Sequence, residues 1–229
     1  MGVGLSDLYV ALIYVAFLVI GMTAPFVFTL GYLWVDTFYP QFISTLVGQV
    51  PSSMIMGIAA IGSYVLLDRR SPPPISFHTL LTVFFAAWIT LTLTWAERPD
   101  PAWDKWDWAV KVVMFAAFLT LVLRSRVQIE AFLQVFLFAA AVHMLAVGTK
   151  TMLSGSGYGR QLGVFSTNAG LLESSYLAAV SIALIPIILF LRSHSVLIPT
   201  SRLRDIGYIG LIFIAIFGSI VTYARTALV

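Results

Sequence analysis

Arg225 is the residue in this sequence best placed to hold an anion. It follows the apolar run Ile206–Tyr223, and the apolar pattern resumes after it. A charge at membrane depth is costly and marks a functional site by default. Its guanidinium offers five donors in a planar fork that matches phosphate oxygens. Snorkelling to outer headgroups would occupy the same side chain without chemistry. The stretch Gly148 to Gly170 is the second anion-binding candidate, with six glycines alongside Lys150 and Arg160. There, Gly155-Ser156-Gly157-Tyr158-Gly159-Arg160 would let backbone amides approach an anionic group. No Gly-Lys-Ser/Thr closes it, so it is not a Walker loop, and such stretches are more often flexible connectors. Asn168 and Glu173 either cap the helix that follows or face the same cavity, with capping the simpler reading.

The remaining polar residues offer less. His143 lies near the outer end of an apolar run, where a lone histidine more often bonds a neighbouring helix than performs catalysis. His78 and His194 sit at helix ends or in loops, and no two histidines have metal-ligand spacing, so neither a metal nor any cofactor is expected. Glu97, Asp100, Asp104 and Asp107 interleave with Arg98 and Lys105 and read as a solvated loop with local salt bridges. Asp36, between Trp34 and Tyr39, sits among apolar residues and is a candidate partner for an outer cation. The chain has no cysteine, which excludes disulfides, thiolate metal sites and a cysteine nucleophile.

Composition sets what must position these groups. Of the 229 residues 60% are hydrophobic and 10% charged, with a mean hydropathy of +0.97. A soluble domain carries roughly 25% charged residues. The excess apolar surface requires lipid as solvent, which excludes a soluble enzyme, a disordered chain and a nucleic-acid-binding domain. The net charge of +3 forms no basic patch, so no nucleic-acid partner is expected.

A spanning helix needs about 20 mostly apolar residues. By that measure Ser52–Leu67, Phe77–Trp95, Trp108–Leu123, Val127–Gly148, Leu171–Leu191 and Ile206–Tyr223 are spans. Leu8–Leu33 reads either as one long tilted helix or as two short ones over 8–22 and 25–38, because Pro25 would interrupt a continuous ladder. It lacks a basic leader and a cleavage motif and reads as a retained span rather than a signal peptide. The expected fold is all-α: a polytopic transmembrane helical bundle of seven to eight membrane spans, with residues 1–229 as a single transmembrane domain. Seven of the 13 Lys and Arg residues (Arg69, Arg70, Arg124, Arg126, Arg192, Arg202 and Arg204) fall in loops on one side. This bias is weak but alternates regularly, and it places those loops in the cytoplasm. Trp95, Trp103, Trp106 and Trp108 then form an aromatic belt at the outer interface.

Four stretches carry a family likeness: Leu33-Trp34-Val35-Asp36-Thr37-Phe38-Tyr39-Pro40; Ala102-Trp103-Asp104-Lys105-Trp106 with Lys111; Tyr158-Gly159-Arg160 to Asn168 followed by Ile185-Pro186; and Thr222-Tyr223-Ala224-Arg225-Thr226-Ala227. In order and spacing the chain resembles the O-antigen ligase/polymerase superfamily, and within it the O-glycosylation ligase branch associated with exosortase systems. The resemblance implies a multi-pass protein of the bacterial inner membrane. Such a protein takes glycan from an undecaprenyl-diphosphate carrier and passes it to a glycan, lipid or protein acceptor at the outer face. It implies no nucleotide sugar and no obligatory metal. The family's arginine maps onto Arg225 as the catalytic diphosphate ligand, with Arg160 a second lipid-diphosphate contact. Ala224 and Thr226 depart from the Thr-x-Ser-Arg-Gly-like signature. Nothing matches the later external loop that carries the family's histidine, and His143 does not fill that role.

The residues therefore read as the N-terminal half of a longer membrane glycan ligase. A polysaccharide polymerase of the same superfamily is an alternative, and a transporter or flippase subunit is another. Transporters often carry mirrored, broken helices, and no such repeat is present. The 229 residues alone are expected to show no glycan transfer. Incubation with lipid-linked glycan and acceptor tests this, and turnover by the isolated chain contradicts it.

Overall fold

In the computed structural model, residues 4–68, 70, 71, 73, 75–154 and 174–222 are described. All their regular structure is helical: α1 Leu5–Thr23, α2 Phe26–Phe38, α3 Thr45–Gly48, α4 Ser52–Leu67, α5 Phe77–Thr92, α6 Pro99–Val122, α7 Arg126–Ser154, α8 Ser174–His194 and α9 Arg202–Val221. The chain divides into two compact units, Met1–Leu67 with Val127–Val229, and Asp68–Arg126.

Among the described residues five helices are long and apolar enough to cross a membrane: Leu5–Thr23, Phe77–Trp95, Arg126–Leu153, Ser175–His194 and Arg202–Val221. This corrects the expectation of seven to eight spans. α2 and α4 are apolar but have only 13 and 16 residues. At 1.5 Å per residue they reach roughly 20 and 24 Å, short of a hydrocarbon core of about 30 Å. α6 is long enough, but its first half carries Asp100, Asp104, Lys105, Asp107 and Lys111.

The first unit opens with a break at Pro25. Ala24, forced out of the helical region by the following proline, has φ −128° and ψ 87°. Pro25 then starts α2, so the run Leu8–Leu33 is two helices. They fold back on one another: the Phe17 and Trp34 rings lie 5.6 Å apart, and a Cβ on Gly21 would meet the Phe28 ring at 2.6 Å. α4 runs antiparallel to α2: Ser53 donates to Asp36 at one end and Ser63 to the Pro25 carbonyl at the other, with Gly31 against Met56 and Gly57 against Tyr32 between them. Tyr14 of α1 donates its hydroxyl to the Ser52 carbonyl at 3.2 Å.

The other half of this unit packs α7, α8 and α9. Its core is Leu137, Ala140, Met144, Leu177, Leu184, Ile188, Leu191, Tyr208 and Ala215. α9 runs parallel to α7: Gln134 donates to the Tyr208 hydroxyl at 2.6 Å, and Gly218 lies against Met144. Pro186 removes one N–H from the α8 ladder.

Glu130, 4% exposed on α7, accepts bonds from the backbone N–H groups of Val196 (2.8 Å) and Leu197 (3.0 Å) and from the Ser195 hydroxyl. Ser195 Oγ in turn accepts the Ile198 N–H at 3.1 Å. The turn between α8 and α9 is thus fixed by one carboxylate. Asp7 does the same for the start of α3, accepting from the Thr45 N–H at 2.6 Å and hydroxyl at 3.0 Å and from the Gly4 N–H at 3.0 Å.

The second unit is the α5–α6 hairpin. Thr79 and Thr120 hydroxyls bond at 3.0 Å near one end, and Trp106 Nε1 donates to Thr90 Oγ1 at 2.9 Å near the other. Arg124 donates to the Leu121 carbonyl at 2.8 Å and the Ser71 carbonyl at 2.5 Å. The Arg70 guanidinium, bonded to Asp68, holds that carboxyl down at about 2. The acidic stretch expected as a loop is instead the opening of α6. Pro99 stands at its first position and Asp100 in its first turn, both favourable at a helix N-terminus. Asp107 pairs with Lys111 one turn on.

Glu130→Ala would strand two N–H groups and a hydroxyl. It is expected to lower stability by about 2 kcal/mol or more. Thermal unfolding in detergent measures this, and an unchanged midpoint would show that the turn holds without the carboxylate.

Candidate functional site

The best-built polar constellation lies where α2 ends. Eight residues from Leu33 to Pro40 pass from helix to turn, and each has a distinct environment. Trp34 stacks on Phe38 at 5.1 Å with planes 16° apart, and Val35 is fully buried. The last carbonyls of any helix lack intrahelical partners. Thr37 finds one in His143 of α7, whose Nε2 lies 3.0 Å from the Thr37 oxygen. A carbonyl only accepts, so Nε2 carries the proton and the imidazole acts as a donor. The ring is 3% exposed, 6.0 Å from Phe38 and 6.2 Å from Tyr39.

Tyr39 terminates α2 with φ 55° and ψ 54°, the one positive φ at a non-glycine position among the described residues. Left-handed backbone costs such a residue of order 1 kcal/mol, and it persists only where its surroundings enforce it. Here Pro40, buried, opens a short 3-10 turn over Pro40–Phe42. The Tyr39 ring also lies 6.1 Å from Phe42.

Asp36 is exposed on the same turn of α2 and accepts the Ser53 hydroxyl at 2.6 Å. Among the described residues no cation lies within ion-pair distance of it, so the structure does not bring it to an outer cation. It presents an exposed carboxylate beside an aromatic bed. Such a group can accept hydrogen bonds from hydroxyl-bearing ligands.

The structure's account of the other sequence candidates is uneven. Arg225 and Arg160 lie outside the described residues, as do Gly155–Gly159, Asn168 and Glu173. Lys150 is exposed in the last turns of α7. His78 opens α5 beside Phe77, and His194 stacks on Phe190 at 5.0 Å at the end of α8. Among the described residues no His, Asp and Glu cluster could hold a metal ion. Trp95, Trp103 and Trp108 are exposed, and Trp106 is half-buried over Thr90. Asp7 and Glu130 were not anticipated. Each stands where the apolar pattern begins, and each is followed by distant Ser, Thr and N–H donors that only folding assembles.

Residues 5–196 match the family described as "Family of unknown function (DUF5935)", and the chain belongs to that family. No curated protein and no solved structure matches the chain.

The geometry makes His143 a fastener for α2. His143→Phe keeps a ring and loses the bond to Thr37. It is expected to cost about 1 kcal/mol in thermal unfolding. A role in chemistry predicts a different outcome, full stability with abolished function.

Proposed function

We propose that this chain is the membrane-embedded part of a glycan ligase of the O-antigen ligase type. It works at the outer face of the bacterial inner membrane, with the arginine-bearing loops in the cytoplasm. An acceptor nucleophile attacks the anomeric carbon of a glycan held on undecaprenyl diphosphate. The bond from that carbon to the phosphate oxygen breaks, and the diphosphate leaves with the developing charge. Arg225 stabilises that charge as a donor to the phosphate oxygens. Arg160 supplies a second cation for the same group.

The observation that carries this reading is the order of residues around Arg225. The signature-like Thr222-Tyr223-Ala224-Arg225 begins at the buried Thr222, immediately after α9. α9 runs parallel to α7 and ends beyond the level where Gly218 meets Met144, next in sequence to His143. The Leu33–Pro40 segment of the same likeness is held at that end of the unit by His143. Its exposed Asp36 is a hydrogen-bond acceptor for an incoming hydroxyl. A transport reading needs charged groups open to a path at mid-membrane. Asp7 and Glu130 instead have their oxygens committed to backbone and hydroxyl donors.

Arg225→Ala in the native host is expected to reduce transfer by about 100-fold or more, the scale seen when one charge-stabilising donor is lost. Lipid-linked glycan should accumulate while the protein still inserts normally. Undiminished transfer would remove Arg225 from the mechanism. A deletion strain with unchanged glycan and altered solute uptake would move the protein to the transport class.

A further inference from the structure

The turn between α8 and α9 combines three features that helix packing alone does not require. It is rigid, because Glu130 takes the Val196 and Leu197 N–H groups and Ser195 Oγ takes that of Ile198. With their backbones held inward, Val196 and Leu197 are left 57% and 44% exposed, and Leu203 and Ile206 follow at 82% and 66%. Arg192 and Arg202 bracket this apolar tip in sequence, and among the described residues neither has a hydrogen-bond or ion-pair partner.

Helix electrostatics account for only one of these arginines. Arg192 lies in the last turn of α8, where a cation complements the macrodipole. Arg202 is the first residue of α9, capped by Ser201, where the macrodipole disfavours a cation. Arg204 differs, being tucked against Asp205 at 3.2 Å and the Ile198 carbonyl at 3.3 Å. Arg202 is therefore unfavourable to its own helix by position, and the first-turn carboxylate of Asp205 is engaged by Arg204.

We propose that the α8–α9 turn is a binding surface for anionic phospholipid. Val196 and Leu197 sit at the acyl boundary, and Arg192 and Arg202 hold the headgroup phosphates above it. A guanidinium matches a phosphodiester in two-point geometry, and basic residues beside apolar ones at a helix end favour acidic lipid. This inference stands independently of the glycan-transfer reading.

The full chain can be reconstituted in nanodiscs of equal parts phosphatidylcholine and phosphatidylglycerol, extracted mildly, and its retained lipids weighed by native mass spectrometry. Phosphatidylglycerol is expected to be enriched over phosphatidylcholine. The enrichment should fall about fivefold for each arginine lost in R192Q/R202Q. R192K/R202K should keep most of it, and Arg98→Gln, an exposed cation in the other unit, should keep all of it. High salt should erode the enrichment of the unaltered chain, a readout that needs no variant to fold. The proposal is overturned if the unaltered chain shows no enrichment or no salt dependence. It is equally overturned if R192Q/R202Q matches the unaltered chain, or if Arg98→Gln lowers enrichment as much.

Discussion

A helix end inside an apolar medium has no water to complete its hydrogen bonds, and this constraint organises the described structure. Three helix ends among the described residues of the first unit are closed by a side chain from elsewhere in the sequence. Glu130 closes the turn after α8, Asp7 the start of α3, and His143 the end of α2. Ser76 and Ser201 serve locally, each accepting the N–H three residues on. The long-range bonds do two things at once. They satisfy backbone groups, and they tie together elements far apart in sequence. Asp7 and Glu130 enter the bundle as acceptors for backbone and hydroxyl donors rather than as halves of an ion pair, which avoids the desolvation of a second ion.

The same medium sets which residues face inward. Leu, Val and Phe gain little by leaving lipid, so close packing of backbones decides the interior. α7 buries Ala139, Ala140, Ala141 and His143, while Phe138, Val142 and Leu145 stay exposed. Where α7, α8 and α9 come together, a Cβ on Gly218 would meet Met144 Cβ at 3.0 Å and Ser181 Oγ at 3.3 Å. On α5 the outward set includes Phe77, Leu80, Phe84, Trp88 and Leu91. The interior thus combines small residues at the close approaches with Leu137, Met144, Leu177, Leu184 and Ile188, while many large apolar side chains face outward, as in a chain solvated by hydrocarbon.

Much of this was legible from periodicity and length. The apolar runs gave the helices, and Pro25 marked the place where a 26-residue stretch could divide. The errors had identifiable sources. Hydropathy treats Glu97 to Asp107 as loop because the residues are charged, whereas Pro99 and the i, i+4 pair of Asp107 and Lys111 favour a helix from Pro99 on. Span counting treated α2 and α4 as equivalent to α1, although their lengths differ by several residues. At the candidate site, His143 bonding a neighbouring helix was readable from its isolation on an apolar run. The roles of Glu130 and Asp7 were not, because their partners lie 65 and 38 residues away. No local pattern carries that information.

The brevity of α2 has a consequence for how the protein is made. A helix of about 20 Å cannot hold itself across a bilayer, and its two neighbours lie on either side of it in the chain. α1 leaves the ribosome before α2 and can enter the membrane as an ordinary span. α2 follows through a turn of only two residues, Ala24 and Pro25, before α4 exists to shield its other face. Its carbonyls at Thr37 stay without a donor until α7, more than 100 residues later, delivers His143. The insertion machinery must therefore hold an unfinished hairpin through the synthesis of the entire α5–α6 unit, and α2 reaches its final bonds only after α7 has been made.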